Sequence, residues 1–156
     1  MSLIAYGTAP TQDAPEAIDN NGFWPAVDPA DFRQTHRIDT SIAPPRVSHA
    51  LALAIADINR QLADWQTAQQ AAGASTADDI PSLYWANPGY YLLLYRQAVY
   101  ATAHALLMER YRDHSATGVG DERGQAKDFA ADDYRRDARW AVAEITGRTH
   151  TTVELI

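Results

Sequence analysis

The feature that most limits what this chain can become is a run of apolar residues spaced for one face of a helix. Val47, Leu51, Ala54, Ile58, Leu62 and Trp65 recur at steps of four and three, with Ile55 widening the stripe. Arg46, Asp57, Arg60, Gln61 and Asp64 fill the opposite side. A stripe of period 3.6 cannot sit on a strand, whose side chains alternate with period 2. It predicts a helix over 45–72, entered through the rigid Ala43-Pro44-Pro45 and stopped by Gly73.

Three further helices follow from the same reasoning. Asn87-Pro88 looks like a cap followed by a first-turn proline, and it opens a predicted helix over 88–113. Leu94, Ala98, Ala101, Ala105 and Met108 form one stripe on it; Leu93, Tyr100, His104, Leu107 and Tyr111 form a second. A helix apolar on most sides lies centrally or is shared with a partner. The last helix spans 125–146, with Ala131, Tyr134, Ala138, Ala141, Val142 and Ile145 inward and Gly147 as its stop. A short helix over 29–36 starts with Asp28 as N-cap, Pro29 in the first position and Asp31 near the positive end of the dipole.

The segments between are loops: 74–86, broken by Asp78, Asp79 and Pro81, and the glycine-rich 115–124. Residues 1–22 carry no apolar periodicity and are expected to form a flexible arm. The ending THTTVELI, 149–156, alternates and is β-branched, so it predicts one short strand with Val153 and Leu155 inward. The expected fold is therefore mainly α: a small bundle of three long helices and one short one, with an N-terminal arm and a C-terminal strand. Residues 23–156 make a single helical domain.

Composition removes several function classes. Cysteine is absent, which excludes disulfides, cysteine–zinc sites and thiol nucleophiles and fits a reducing compartment. No apolar run reaches the ~18 residues of a membrane span. The N-terminus lacks the basic start and apolar centre of a signal peptide, so a cytoplasmic protein is expected. The net charge is −7, and residues 1–43 hold six acids against two bases. No basic stripe of the kind that binds phosphate backbones is present, which speaks against tight DNA binding.

A search for chemistry finds no catalytic, cofactor-binding or metal-ligating set. The five histidines, His36, His49, His104, His114 and His150, have no metal-ligand spacing, and there is no H-E-x-x-H. Gly118–Gly124 follows a helix and lacks the Lys-Ser/Thr pair of a phosphate loop. Asp78-Asp79 and Asp132-Asp133 suit caps or solvated surface better than a cation site. No Gly-x-Ser-x-Gly elbow marks a serine nucleophile.

Phe23-Trp24-Pro25-Ala-Val-Asp-Pro, Ser41-Ile-Ala-Pro ahead of an amphipathic helix, and Arg136-Asp-Ala-Arg-Trp-Ala-Val-Ala-Glu-Ile-Thr-Gly147 stand in a distinctive order. Together with Glu109-Arg-Tyr-Arg112, they resemble the head completion protein (gpL) family of peduovirus-type contractile-tailed phages. The resemblance covers 23–156 and aligns only loosely over 73–90. It implies a structural protein with no enzymatic activity and no cofactor, which adds to the portal vertex after DNA packaging and readies the head for the tail. Implied partners are the portal protein and tail-completion proteins, first in the host cytoplasm and then in the virion. By fold-level analogy with other helical adaptors, the working form is expected to be a homo-oligomeric ring of about twelve subunits through which DNA passes. A prophage-encoded helical DNA-binding regulator is the competing expectation. A metal-dependent hydrolase on the acidic pairs is a third.

Interface and packing residues are then the sites to watch. Phe23, Trp24 and Pro25 dock either on this chain's own core or on a neighbouring subunit, and both readings stay open. Tyr100 and Tyr111 belong to the second apolar stripe of the long helix. Trp140 is expected to lock the last helix; if its ring is fully buried, truncating it to alanine costs about 3–5 kcal/mol. Val153 and Leu155 are the inward positions of the terminal strand.

Overall fold

A computed structural model describes residues 16–112 and 121–148, and the side chains of 16–110 and 130–148. Within those residues the chain is helical: α1 (Pro29–Thr35), α2 (Pro44–Gln61), α3 (Ala63–Ala71), a 3-10 turn (Ala77–Asp79), α4 (Tyr90–Arg112) and α5 (Asp121–Ile145). α4 is the central element and packs against α2, α5 and the 3-10 turn. Ala98, Ala101, Ala103 and Ala105 on α4 and Ala131, Ala138 and Ala141 on α5 are all buried. Small side chains at these positions let helix axes approach closely.

The caps act where the residues suggest. Asp28 takes the N–H of Ala30 at 2.8 Å, and Pro29 occupies the first helical position of α1. Gly73 and Gly147 adopt left-handed φ of 105° and 66°. Beyond each, a six-to-one hydrogen bond closes the helix, Ala74 N–H to Gln69 O at 3.1 Å and Arg148 N–H to Ala143 O at 2.9 Å. The inward stripe of α2 is buried as its spacing requires, with Val47, Leu51, Ala54 and Leu62 wholly so.

Several expectations need correction. The predicted helix 45–72 is two helices, broken at Leu62, whose φ of −97° and ψ of 3° leave the helical range. No proline or glycine stands there. Leu62 is wholly buried, whereas α3 buries no residue fully, and Trp65 packs on Trp24. The bend therefore follows tertiary contacts that the local pattern does not carry. Asn87-Pro88 does not open α4. Gly89 takes φ 78° outside the helix, and its carbonyl accepts the first helical bond from Leu93 N–H at 3.0 Å. The fifth helix begins at Asp121, four residues before its expected start, and takes in Gly124 from the predicted loop. Within 74–86 a 3-10 turn forms, because Asp79 accepts from both the Thr76 N–H at 2.7 Å and its hydroxyl at 3.1 Å.

The arm also shortens. Ile18 and Val27 exchange two backbone hydrogen bonds of 2.8 and 2.9 Å as an antiparallel bridge, so residues 16–22 belong to the folded unit. Residues 1–15 and the predicted strand 149–156, with Val153 and Leu155, lie outside the described residues.

Candidate functional surfaces

The residues Phe23 and Trp24 lie in this chain's own core, 3% and 2% exposed. Trp24 is the centre of an aromatic stack, face to face with Tyr95 at 4.3 Å and with Trp65 at 5.7 Å. Phe23 meets Trp24 edge-on at 5.1 Å, and Trp65 continues the stack to Tyr91. The turn before them is fixed by Asn21, whose Oδ1 accepts the N–H of both Phe23 and Trp24 at 3.1 Å. Pro25 is half-buried, and its carbonyl accepts from Asn20 Nδ2 at 3.0 Å. Among the described residues no acceptor reaches the buried Trp24 Nε1–H.

Asn20 brings in residues that pattern reading missed. Its Nδ2 donates to the Tyr95 hydroxyl at 2.7 Å, that hydroxyl donates to Asn59 Oδ1 at 2.8 Å, and Asn59 Nδ2 donates back to Asn20 Oδ1 at 2.8 Å. This closed triangle ties the N-terminal segment to α2 and α4. Burial pushes the Tyr95 phenol up to about 12, partly offset by the Asn20 hydrogen bond, so it stays a donor.

A second cluster joins α1, α4 and α5. Tyr100 is buried, and its hydroxyl donates to Asp31 Oδ2 at 2.6 Å. Burial, then that hydrogen bond and the Asp31 charge, raise the Tyr100 phenol far above its ordinary value. His36 and His104, 68 positions apart, face each other with 3.1 Å between their Nδ1 atoms. Tyr134 lies against His104, ring centroids 4.1 Å apart, and Phe32 and Tyr100 pack around His36. Burial, and then the charge of His36, lower His104 to about 4; burial lowers His36 as well. Both rings are neutral near pH 7, which suits one donating to the other. The cluster is an aromatic joint, and among the described residues no group of three or more His, Asp or Glu side chains is placed to hold a metal ion.

Three residues of the acidic pairs, Asp79, Asp132 and Asp133, are engaged elsewhere. Asp79 caps the 3-10 turn, and the hydrogen bonds it accepts from Thr76 hold its carboxyl below the usual range. Asp132 pairs with Arg135 at 2.9 Å and Asp133 with Arg136 at 2.7 Å; Glu109 on α4 also pairs with Arg135. Two arginines that a DNA-reading helix would need are thus occupied by carboxylates.

Trp140 does not pack inward. It is 47% exposed, and the Arg136 guanidinium lies over its ring at 4.8 Å. The inner face of α5 is made by Ala131, Ala138, Ala141 and Ile145 instead, so the cost of a fully buried ring does not apply to Trp140. Tyr111 falls in the last turn of α4, and its side chain lies outside the described part. The most exposed apolar surface lies in the segment expected to be a loop: Leu83, Tyr84 and Trp85, with Leu93 on the first turn of α4 exposed as well. Tyr84 is 99% exposed and Leu93 60%. Trp85 meets Tyr90 edge-on at 5.3 Å, and the Tyr90 hydroxyl donates to Glu144 Oε1 at 3.4 Å. Burial, and then the Glu144 charge, raise the Tyr90 phenol.

The phage head completion protein (GPL) family model matches residues 18–156. The head completion/stabilization protein of Escherichia phage P2 is 34% identical over 147 residues, which cover 94% of this chain and 86% of that protein. The probable head completion/stabilization protein of Haemophilus phage HP1 (strain HP1c1) is 28% identical over 149 residues, covering 94% of this chain and 97% of that one. No solved structure matches. The matched segment starts where the ordered N-terminal bridge starts, at Ile18, and contains the aromatic stack, the histidine pair and all of the described helices. The chain belongs to the phage head completion protein family.

Proposed function

We propose that this chain completes and stabilises the phage head by adding to the portal vertex, as an adaptor between head and tail. The observation that carries the reading is the family match over 18–156, with relatives named for head completion and stabilization. The geometry supports it. The aromatic stack, the histidine joint and the carboxylates of Asp79, Asp132 and Asp133 are held by partners within the fold. Tyr84, Leu93 and Trp85 are large aromatic and apolar side chains left exposed, which suits contact with other proteins.

The working form is a homo-oligomeric ring of about twelve subunits on the portal, by analogy with helical adaptors. The portal protein and the tail-completion proteins are its partners. It acts in the host cytoplasm during assembly and remains in the virion, and a net charge of −7 per subunit suits a channel through which DNA slides. DNA-filled heads made without this chain should fail to accept tails, and the purified protein should restore them. Electron microscopy of the protein mixed with its portal should show a ring on the portal. Heads that mature normally without the chain would overturn the reading.

A further inference from the structure

Asn21-Gly22 is the one place in the sequence where a glycine follows an asparagine; Asn20 precedes Asn21, Asn59 precedes Arg60 and Asn87 precedes Pro88. The pair matters chemically. Asparagine is a thermally labile side chain, and glycine has no Cβ to shield its own nitrogen from the carboxamide beside it. Both residues are exposed, and Gly22 takes a left-handed φ of 83°. Solvent therefore reaches the turn that seats Phe23 and Trp24 in the core.

The same carboxamide that makes the site labile also builds the turn. Asn21 Oδ1 accepts the N–H of Phe23 and of Trp24, each at 3.1 Å, and Nδ2 donates to Gln66 Oε1 on α3 at 3.0 Å. The Asn21 N–H goes to Asn20 Oδ1 at 2.8 Å, and Asn20 is anchored in turn by the Tyr95 hydroxyl and Asn59. Every polar atom of the Asn21 carboxamide thus has a partner that holds it away from the Gly22 nitrogen.

We infer that Asn21-Gly22 is a self-modification site, guarded while this turn is formed and reactive when it comes loose. In the loosened turn the Gly22 nitrogen gives its proton to solvent base and attacks Asn21 Cγ. The Cγ–Nδ2 bond breaks, Nδ2 takes a proton from water, and ammonia leaves. Water then opens the cyclic imide at either carbonyl, giving aspartate or isoaspartate, with no change of oxidation state. Aspartate keeps an acceptor for the Phe23 and Trp24 N–H groups and loses only the donor to Gln66. Isoaspartate lengthens the main chain by one carbon and moves the free carboxylate back to Cα, so the aromatic pair no longer fits its stack with Trp65 and Tyr95. A reversible loosening of the turn is thereby made permanent. The inference does not depend on which head protein the chain binds.

The rate in the folded chain is the rate of the open turn multiplied by the fraction of time it is open. At mildly alkaline pH, with peptide mapping by mass spectrometry, Asn21 should lose its amide at least about tenfold more slowly in the folded chain than in urea. In urea it should outpace Asn20, Asn59 and Asn87. Equal folded and unfolded rates would overturn the guard, and an Asn21 no faster than the other three in urea would overturn the site. Tyr95→Phe touches neither reacting residue but removes the anchor of Asn20, and should raise the folded rate at least about fivefold. Gln66→Ala frees Nδ2 at the surface and should raise it too, which reads the guard even if Tyr95→Phe does not fold. No change in either variant would refute the guard. Asn21→Asp should melt with the parent, whereas the isoaspartyl chain isolated after ageing in urea should refold to a lower melting temperature. Parent-like melting of the isoaspartyl chain would overturn the permanent loss of the stack.

Discussion

Two aromatic regions of this molecule begin from similar composition and end in opposite situations. Phe23-Trp24 and Leu83-Tyr84-Trp85 are both short aromatic runs beside prolines and asparagines. The first is buried and stacked on Trp65 and Tyr95; the second stands in solvent. The difference lies in what holds the backbone around them. Asn20 and Asn21 satisfy the turn at 20–25 and pull it onto α2 and α4 through side-chain hydrogen bonds. Around 83–85 the described hydrogen bond is local, Ala86 N–H to Leu83 O at 2.8 Å. Aromatic content supplies an apolar surface, and the neighbouring polar groups decide whether the fold keeps it or offers it.

That contrast can be broken most severely at Trp24. Trp24→Ala should cost about 3–5 kcal/mol, because it empties the middle of a buried stack, and urea unfolding should show it. Trp24→Phe should be milder, since the indole N–H has no described partner to lose. Tyr95→Phe should cost about 1–3 kcal/mol by leaving Asn20 and Asn59 without the hydroxyl that joins them. A variant as stable as the parent would show that the triangle does not hold the segment.

The histidine joint predicts a smaller, pH-dependent effect. Its folded values lie below the ordinary 6.5, so the unfolded chain binds more protons over that interval. Stability should fall as pH drops from about 6.5 towards 4, by about 1–2 kcal/mol once partial exposure is allowed for. His104→Gln should flatten that part of the profile in thermal melts taken across the range. Trp140→Ala should cost below about 1 kcal/mol, given its exposure. Smallest of all, Trp85→Ala should leave monomer unfolding within about 0.5 kcal/mol of the parent. A large loss there would mean that the loop is part of the core after all.

Much of the fold was legible because it is written locally. Asp28-Pro29, the α2 stripe, and Gly73 and Gly147 each need only a few neighbouring residues to act, and each acts as its chemistry requires. The break at Leu62 was not legible, since it depends on Trp65 finding Trp24, 41 positions earlier. Gly89 defeated a sound cap-and-proline signal because a left-handed glycine directly after the proline stops the helix from starting there. Tyr95 fell between the two stripes read on α4, although Tyr95, Ala98 and Val99 form a third buried row at steps of three and four. His36 and His104 each looked ordinary alone. Only the packing of α1 on α4 makes them a pair. Trp140 was misplaced because its size suggested the core, while the alanines of α5 had already filled the inner face.

The Asn20–Tyr95–Asn59 triangle has a consequence for the order in which the molecule is made. Its three corners come from the start of the chain, from α2 and from α4. During synthesis from the N-terminus, Asn20 emerges long before Tyr95 exists. The segment around Asn20 must wait for α4 before it can be fastened, so it is fixed later than it is made.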